Sequence, residues 1–242
     1  MGLTGVFHLF AGDQGPQQQS SVSCGAACLT VARMMIDPAL TTWITQGRRG
    51  PGLDVDGRSP NERFAEQERA VLSRTNALRP RGLGWQVPWP IALGTPPWGA
   101  LAELEHGAAA PGTSYEIGML RGLSGATLRR GVEHVMHRVQ PGAPALLYVG
   151  NATLPRHVLL LYVNEQHPEP ALYDPDDGGA RAVPLVALER GTFSAGGWNT
   201  PWLVVYPKAQ RRVGRAADLP SWWPQSVLSG LPAGALARED AA

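Results

Sequence analysis

Cysteine, lysine and long apolar runs are scarce in this 242-residue chain. Its two cysteines are too few for a disulfide framework. No window approaches the roughly 18 apolar residues of a membrane span. The N-terminus lacks the basic start and the apolar length of a signal peptide. We therefore expect a protein that is cytoplasmic as synthesised, and any secretion would be without a cleaved signal.

The net charge of the chain argues against nucleic acid and membranes as partners. The net charge is +1, so there is no general attraction to nucleic acid or to an anionic membrane. Lys208 is the only lysine among 21 lysines and arginines. A GC-rich bacterial genome explains this bias, and the alternative is a toxin or effector delivered into other cells, where few lysines limit ubiquitination. Nothing in the composition selects an oligomeric state.

Helical patterns lie mostly in the N-terminal half. Ser23 is expected to be the N-cap of a helix over residues 24–36, ended by Asp37 and Pro38. A capping box with Pro at the first position, Ser59-Pro60-Asn61-Glu62, opens a polar helix. Residues 79–99 are rich in Pro and Trp, and we expect an irregular segment whose tryptophans pack together.

The pattern changes from helical to strand-like after an amphipathic helix near residues 128–139. The strand-like runs are residues 145–149, 157–163, 170–173 and 202–206. Their links are short, which favours antiparallel neighbours. The sequence therefore predicts an α+β fold, with helices in the N-terminal half and an antiparallel sheet in the C-terminal half.

Three residues in this framework form a candidate catalytic group. Cys24 stands at the start of a helix, where the helix dipole favours a thiolate. A nucleophilic thiol needs a base, and the base needs an orienting group. His157 opens an apolar strand, and Asp174 follows the next strand 17 residues later. Antiparallel strands bring such residues side by side, so the imidazole is expected between Cys24 and Asp174.

This order of motifs resembles the papain-like cysteine peptidases, and among them the C39 type, which includes the bacteriocin leader peptidases. The matching residues are Gln18, Cys24, Gly25, Cys28, His157, Val158, Asp174, Pro175 and Gly178. The resemblance implies a papain-like fold in which an N-terminal helix carries the nucleophile and packs on the sheet. It also implies Cys24 as nucleophile, His157 as general base and acid, Asp174 as orienter and Gln18 as oxyanion donor, with no cofactor and no metal.

The chain also departs from the C39 pattern. Ser23 replaces the usual Asp before the nucleophile. The interval from Cys24 to His157 is 133 residues, which is nearer to the spacing in papain than in compact C39 domains. We therefore expect a catalytic domain over residues 1–208 with an insertion at about 45–100, followed by a tail over residues 209–242.

The predicted function is a cysteine peptidase that cleaves an amide or peptide bond of a protein or peptide substrate through a thioester. The same triad serves deamidases, transglutaminases and acyltransferases, and a catalytically inactive fold could be a binding module. Gln17 and Gln19 are expected to point away from the site. Cys28 is expected to be a buried small residue, and Asp176 and Asp177 to be turn residues.

Overall fold

The computed structural model describes residues 5–50, 52, 54–78, 86–87 and 89–210. Trp85 and the tail from residue 211, with its Trp222-Trp223 pair, lie outside the described residues. Its helices are α1 (Cys24–Met34), α2 (Pro38–Gln46), α3 (Pro60–Thr75), α4 (Pro97–Glu103), α5 (Gly125–Met136) and α6 (Leu185–Arg190). Its strands are β1 (Thr113–Met119), β2 (Ala145–Gly150), β3 (Pro155–Tyr162), β4 (Ala171–Tyr173), β5 (Ala180–Ala182) and β6 (Thr200–Gln210). A 3-10 turn, Ile91–Leu93, precedes α4, and a π-helical turn, Leu104–Ala108, follows it.

The strands form one antiparallel sheet in the order β1-β6-β2-β3-β4-β5. Helices α1 to α4 precede the sheet in sequence, so the predicted α+β class is confirmed. Strand β6 extends past the predicted 202–206 because it pairs with β2 on one side and β1 on the other. Strand β1 was not predicted, although Tyr115, Ile117 and Met119 alternate with small or polar residues. Ile117 and Met119 are exposed in the structure.

Helix α1 is buried on all sides. Every residue from Cys24 to Met34 except Arg33 is buried, which is the pattern of a helix enclosed by other elements. Small residues allow its close approach to the sheet, and the Cys28 thiol lies 3.4 Å from the Val158 carbonyl oxygen on β3. The first hydrophobic core forms between α1, its helical neighbours and this face of the sheet.

Helices α5 and α6 cover the opposite face of the sheet. Leu128, Val132 and Val135 on α5 form a second core with Leu188 on α6 and the outward residues of β2 and β3. Helix α5 ends at Met136, before the predicted end near residue 139, because residues 137 and 138 form a turn.

Two residues that were expected only to end α1 also begin α2. Asp37 Oδ1 accepts the N–H of Leu40 at 3.0 Å, and Pro38 is the first residue of the new helix. An N-cap Asp followed by Pro is a favoured helix start. The predicted end of α1 thus lies two residues beyond the observed one, and the start of α2 was not predicted. No helix in the described ranges is long and apolar enough to cross a membrane.

Candidate active site

Cys24 is the first residue of α1 and is 3% exposed. Ser23 occupies the N-cap position, but its hydroxyl makes no capping bond and instead donates to the Ser20 carbonyl at 2.9 Å. The predicted N-cap position of Ser23 is therefore confirmed, without a capping bond from its side chain. The Ser23 hydroxyl oxygen accepts no bond from the backbone N–H groups in the first turn of α1. Those groups can therefore bind a developing anion beside the Cys24 thiol.

Gly25 is required by the close approach of another segment. A Cβ atom at Gly25 would lie 2.7 Å from Cβ of Thr95. Thr95 is fully buried, and its carbonyl accepts the hydroxyl of Tyr148 at 3.0 Å. Trp98 follows three residues later and meets Trp89 edge to face at 5.2 Å between ring centroids. Part of the segment expected as an insertion thus packs directly against the start of α1.

His157 and Asp174 form a buried pair at one end of the sheet. His157 Nε2 lies 2.6 Å from Asp174 Oδ1, and each residue is 4% exposed. The same Oδ1 accepts the backbone N–H of Asp176 at 3.0 Å. Since a carboxylate only accepts, Nε2 carries the proton in this bond. In the neutral ring, Nδ1 is then the nitrogen that can take a proton from a thiol.

The start of β3 is irregular at His157. Val149 pairs with His157, but Gly150 pairs with Pro155, so Arg156 is an extra residue on β3. The extra residue precedes His157, so His157 still alternates in phase with Leu159 of the second core. From the end of the sheet its ring interacts with both Asp174 and Cys24.

The surroundings of His157 favour its charged form. Burial alone lowers its pKa, but the hydrogen bond to Asp174 and the neighbouring Cys24 thiol outweigh burial and raise the pKa to about 10. At neutral pH the ring is therefore an imidazolium. This is the cation that a thiolate at Cys24 needs as its partner.

Gly196 packs against the imidazole from the other side. A Cβ atom at this position would lie 2.9 Å from His157 Cδ2, and the backbone φ is +54°. Only glycine meets both requirements without strain. Next to this contact is a cavity of about 360 Å³, lined by Gly196, Phe193, Asp174 and Arg181 among others. Gly196 was not predicted as a site residue, because the sequence around a loop glycine gives no signal for the distant residue that it contacts, here His157.

The Gln18 segment is hydrogen-bonded to the turn that carries Asp174. The backbone N–H of Gln18 donates to the Pro175 carbonyl at 2.8 Å, and that of Gly15 to the Gly178 carbonyl at 2.7 Å. Gly178 has a φ of +73°, and a Cβ atom there would lie 2.6 Å from the Gly15 oxygen. The backbone thus links the expected oxyanion donor to the expected orienter.

The three consecutive glutamines have different surroundings. Gln17 and Gln19 are exposed, whereas Gln18 is partly buried. The Gln19 side chain donates to the Gln17 carbonyl at 2.9 Å. The Gln18 Oε1 is buried and has no hydrogen-bond partner among the described residues. The amide of Gln18 is therefore the one of the three that is turned into the protein.

Cys28 has the surroundings of a packing residue. It is fully buried one turn after Cys24, and its thiol donates to the Val158 carbonyl. Burial raises the pKa of Cys28 well above its usual value. A thiol in these surroundings stays protonated and is a poor nucleophile.

Glu68, a buried acidic residue of α3 close to these groups, was not among the predicted site residues. Glu68 shares the buried side of α3 with Phe64, Val71 and Thr75. These residues recur at helical spacing, so the sequence places an acid on the buried face of the helix. That pattern could have identified Glu68 as a candidate site residue. In the described part of the chain, no group of three or more His, Cys, Asp or Glu side chains is arranged to hold a metal ion.

Comparisons with known proteins give little support for a family. No protein-family model matches the chain, and no curated protein matches it. The crystal structure of the Pseudomonas avirulence protein AvrPphB is similar to it with a TM-score of 0.39 and 14% identity, over 82% of this chain and 96% of the other. A likeness at this level carries no functional argument. The C39 type is therefore a resemblance of motifs that these comparisons do not support.

Proposed function

We propose that the protein is a papain-like cysteine peptidase in which Cys24, His157, Asp174 and Gln18 act together. The observation that carries the proposal is the buried His157–Asp174 pair, 2.6 Å between Nε2 and Oδ1, beside a thiol at a helix N-terminus. A packing histidine has no need of a buried carboxylate partner and a thiol neighbour. The order of the motifs alone supports the narrower proposal of a C39-like enzyme.

The first half of the reaction forms a thioester. The thiol proton of Cys24 rests on Nδ1 of the His157 imidazolium, and the thiolate attacks the carbonyl carbon of the substrate amide. The carbonyl oxygen becomes an oxyanion, which accepts hydrogen bonds from the Gln18 side chain and the backbone N–H of Cys24. When this intermediate collapses, the C–N bond breaks, and the imidazolium gives its proton to the leaving amine.

The second half releases the acid. His157 removes a proton from a water molecule, and the resulting hydroxide attacks the thioester carbonyl. The oxyanion forms again at the same donors, the C–S bond breaks, and the thiolate recovers beside the imidazolium. Asp174 holds the ring in the orientation that both halves need, and stabilises its positive charge.

Thiol labelling and a proteome comparison together test this proposal. A vinyl sulfone probe should label Cys24 and leave Cys28 unmodified in intact-mass analysis, and labelling should slow strongly in His157→Ala. A cell lysate treated with the protein should then show new protein N-termini that are missing with Cys24→Ala. Deamidated glutamines or crosslinks in place of new N-termini would favour the deamidase or transferase alternatives, and an unlabelled Cys24 would favour a binding module.

A further inference from the structure

Glu68 is a buried carboxylate that forms no ion pair within the described residues. The residue is 1% exposed. None of the ion pairs among residues 5–50, 52, 54–78, 86–87 and 89–210 includes it. Removing an unpaired carboxylate from water costs several kcal/mol in folding free energy. A residue kept at such a cost needs a role that an apolar side chain on α3 could not fill.

The contacts of Glu68 are with the segment between Gln18 and Cys24. Its two carboxylate oxygens lie 3.2 and 3.1 Å from the backbone nitrogen of Gln19. The Ser23 hydroxyl also interacts with the carboxylate, and its single proton can serve either Glu68 or the Ser20 carbonyl. Burial raises the pKa of Glu68, while the bonds from Ser23 and Gln19 act in the opposite direction.

Gln18 and Gln19 are thereby held at consecutive backbone positions by two different elements. The N–H of Gln18 donates to Pro175, next to the orienter Asp174, and the N–H of Gln19 donates to Glu68 on α3. Two such bonds on adjacent residues determine the peptide planes on both sides of the Gln18 Cα atom. Those planes set the direction of the Gln18 side chain.

We propose that Glu68 is a positioning residue, whose buried carboxylate holds the segment from Gln19 to Ser23 so that the Gln18 amide points at the oxyanion formed on the Cys24 adduct. This inference rests on the proposed function. It also explains why the residue before the nucleophile is Ser23 here. A serine hydroxyl can donate to the carboxylate of Glu68, whereas an aspartate at this position would place a second negative charge against it.

Glu68→Gln is the most informative substitution, because it keeps the shape and removes one acceptor. Both oxygens of Glu68 face one N–H donor, so a carboxamide must place either a single oxygen or its own N–H groups there. The neutral amide is cheaper to bury than the carboxylate. We therefore expect an unchanged or higher melting temperature together with a lower turnover. Glu66→Gln, two residues earlier on α3 but paired with arginines at the surface, is the matched control.

The test uses hydrolysis of p-nitrophenyl acetate, whose carbonyl forms the same kind of oxyanion. Glu68→Gln should lower kcat roughly 10- to 100-fold with little change in KM. Glu66→Gln should match the wild type. Alkylation of Cys24 by iodoacetamide should keep its rate in Glu68→Gln, since the thiolate depends on His157 and the helix start rather than on Gln18.

A double-mutant cycle with Gln18→Ala identifies the route of the effect. If Glu68 acts through Gln18, adding Glu68→Gln to Gln18→Ala should change kcat by no more than about twofold. The inference would be overturned if the loss of kcat in the double variant equals the product of the two single losses. It would also be overturned if Glu68→Gln leaves kcat unchanged. A lower melting temperature with kcat unchanged would overturn it as well, and would assign a structural role.

The alkylation rates separate this inference from the proposed function. If His157→Ala alkylates as fast as the wild type, the thiol is not activated and the proposed function fails. If the wild type alkylates much faster than His157→Ala while Glu68→Gln keeps full turnover, the proposed function stands and only the role of Glu68 is wrong.

Discussion

The two faces of the sheet differ in what they bury. On the side of α5 and α6, the core consists of apolar residues such as Leu128, Val135 and Leu188. On the side of α1 and α3, the protein also buries polar groups, among them Ser23, Glu68 and Thr95. His157 and Asp174 lie at the end of the sheet, where His157 interacts with Cys24 of α1 and Asp174 lines a cavity with Phe193 of the second core. Neither α5 nor α6 carries a buried polar residue.

This difference separates stability from chemistry. Apolar burial stabilises the fold at about 25 cal/mol per Å² and demands no particular partner. A buried polar group costs free energy unless each of its atoms is satisfied. The polar groups around α1 therefore carry a cost that the α5 face avoids, and we expect substitutions on the two faces to separate into losses of activity and losses of stability.

The largest expected contrast lies within α1 itself. Cys24→Ala should abolish p-nitrophenyl acetate turnover and lysate cleavage, because it removes the nucleophile. Cys28→Ser should keep most of the turnover, since a hydroxyl can still donate to the Val158 carbonyl. Assays of both variants with intact-mass labelling check this. An inactive Cys28→Ser beside an active Cys24→Ala would show that the nucleophile lies one turn further along the helix.

The second contrast concerns the end of the sheet. His157→Ala should reduce turnover to background, and Asp174→Asn should leave partial activity, because an imidazole without its carboxylate can still accept a proton. Asp176→Asn and Asp177→Asn should be near neutral, as should substitution of the exposed residue after the end of α5 in His137→Ala. Steady-state kinetics on the five variants measures this order. A silent Asp174→Asn with a severe Asp177→Asn would move the orienter along the turn.

The third contrast is between neighbouring glutamines. Gln18→Ala should lower kcat by about 10²–10³, or roughly 3–4 kcal/mol in activation free energy, with little change in KM. The bond to the oxyanion forms fully only in the transition state. Gln17→Ala, whose side chain is exposed, is the control. A Gln18→Ala variant with unchanged kcat, or with a thiol that no longer alkylates, would contradict the assignment.

The fourth contrast is in pH dependence of stability. The folded pKa of His157, about 10, lies above the value of about 6.5 expected in the unfolded chain. The stabilisation from the charged ring is therefore complete below about pH 6.5 and lost as the pH rises towards 10. Urea unfolding across this range should show the loss in the wild type and a smaller one in Asp174→Asn. If the free energy of unfolding changes equally with pH in the two proteins, the His157–Asp174 pair is not the cause of the change.

The smallest expected effect on activity belongs to the α5 face. Leu128→Ala should lower the free energy of unfolding by about 2–5 kcal/mol, because it leaves a cavity in the second core. Its kcat should equal that of the wild type at temperatures well below its unfolding transition. Urea unfolding and kinetics on the same sample test both halves. A loss of kcat in the folded variant would show that the two faces are coupled.

The sequence alone determined the elements with strong local patterns. Helix α1, the capping box of α3 and the strands β2 to β4 follow from the spacing of apolar residues and from caps within a few residues. The proximity of His157 and Asp174 could also be predicted, because two antiparallel strands with a short link leave few registers. The identities of the expected nucleophile and oxyanion donor came from the motif resemblance, and their roles stay predictions.

Only the tertiary structure decided which groups surround these residues. Glu68 meets Gln19, which lies 49 positions earlier in the chain, Thr95 meets Gly25, and Gly196 meets His157. Local sequence patterns report burial and helix or strand periodicity over a few turns, so they contain no signal for contacts between distant segments. Such contacts depend on how close-packed layers come together. For this reason the polar environment of α1, and with it the proposed role of Glu68, could be recognised only once the chain was folded.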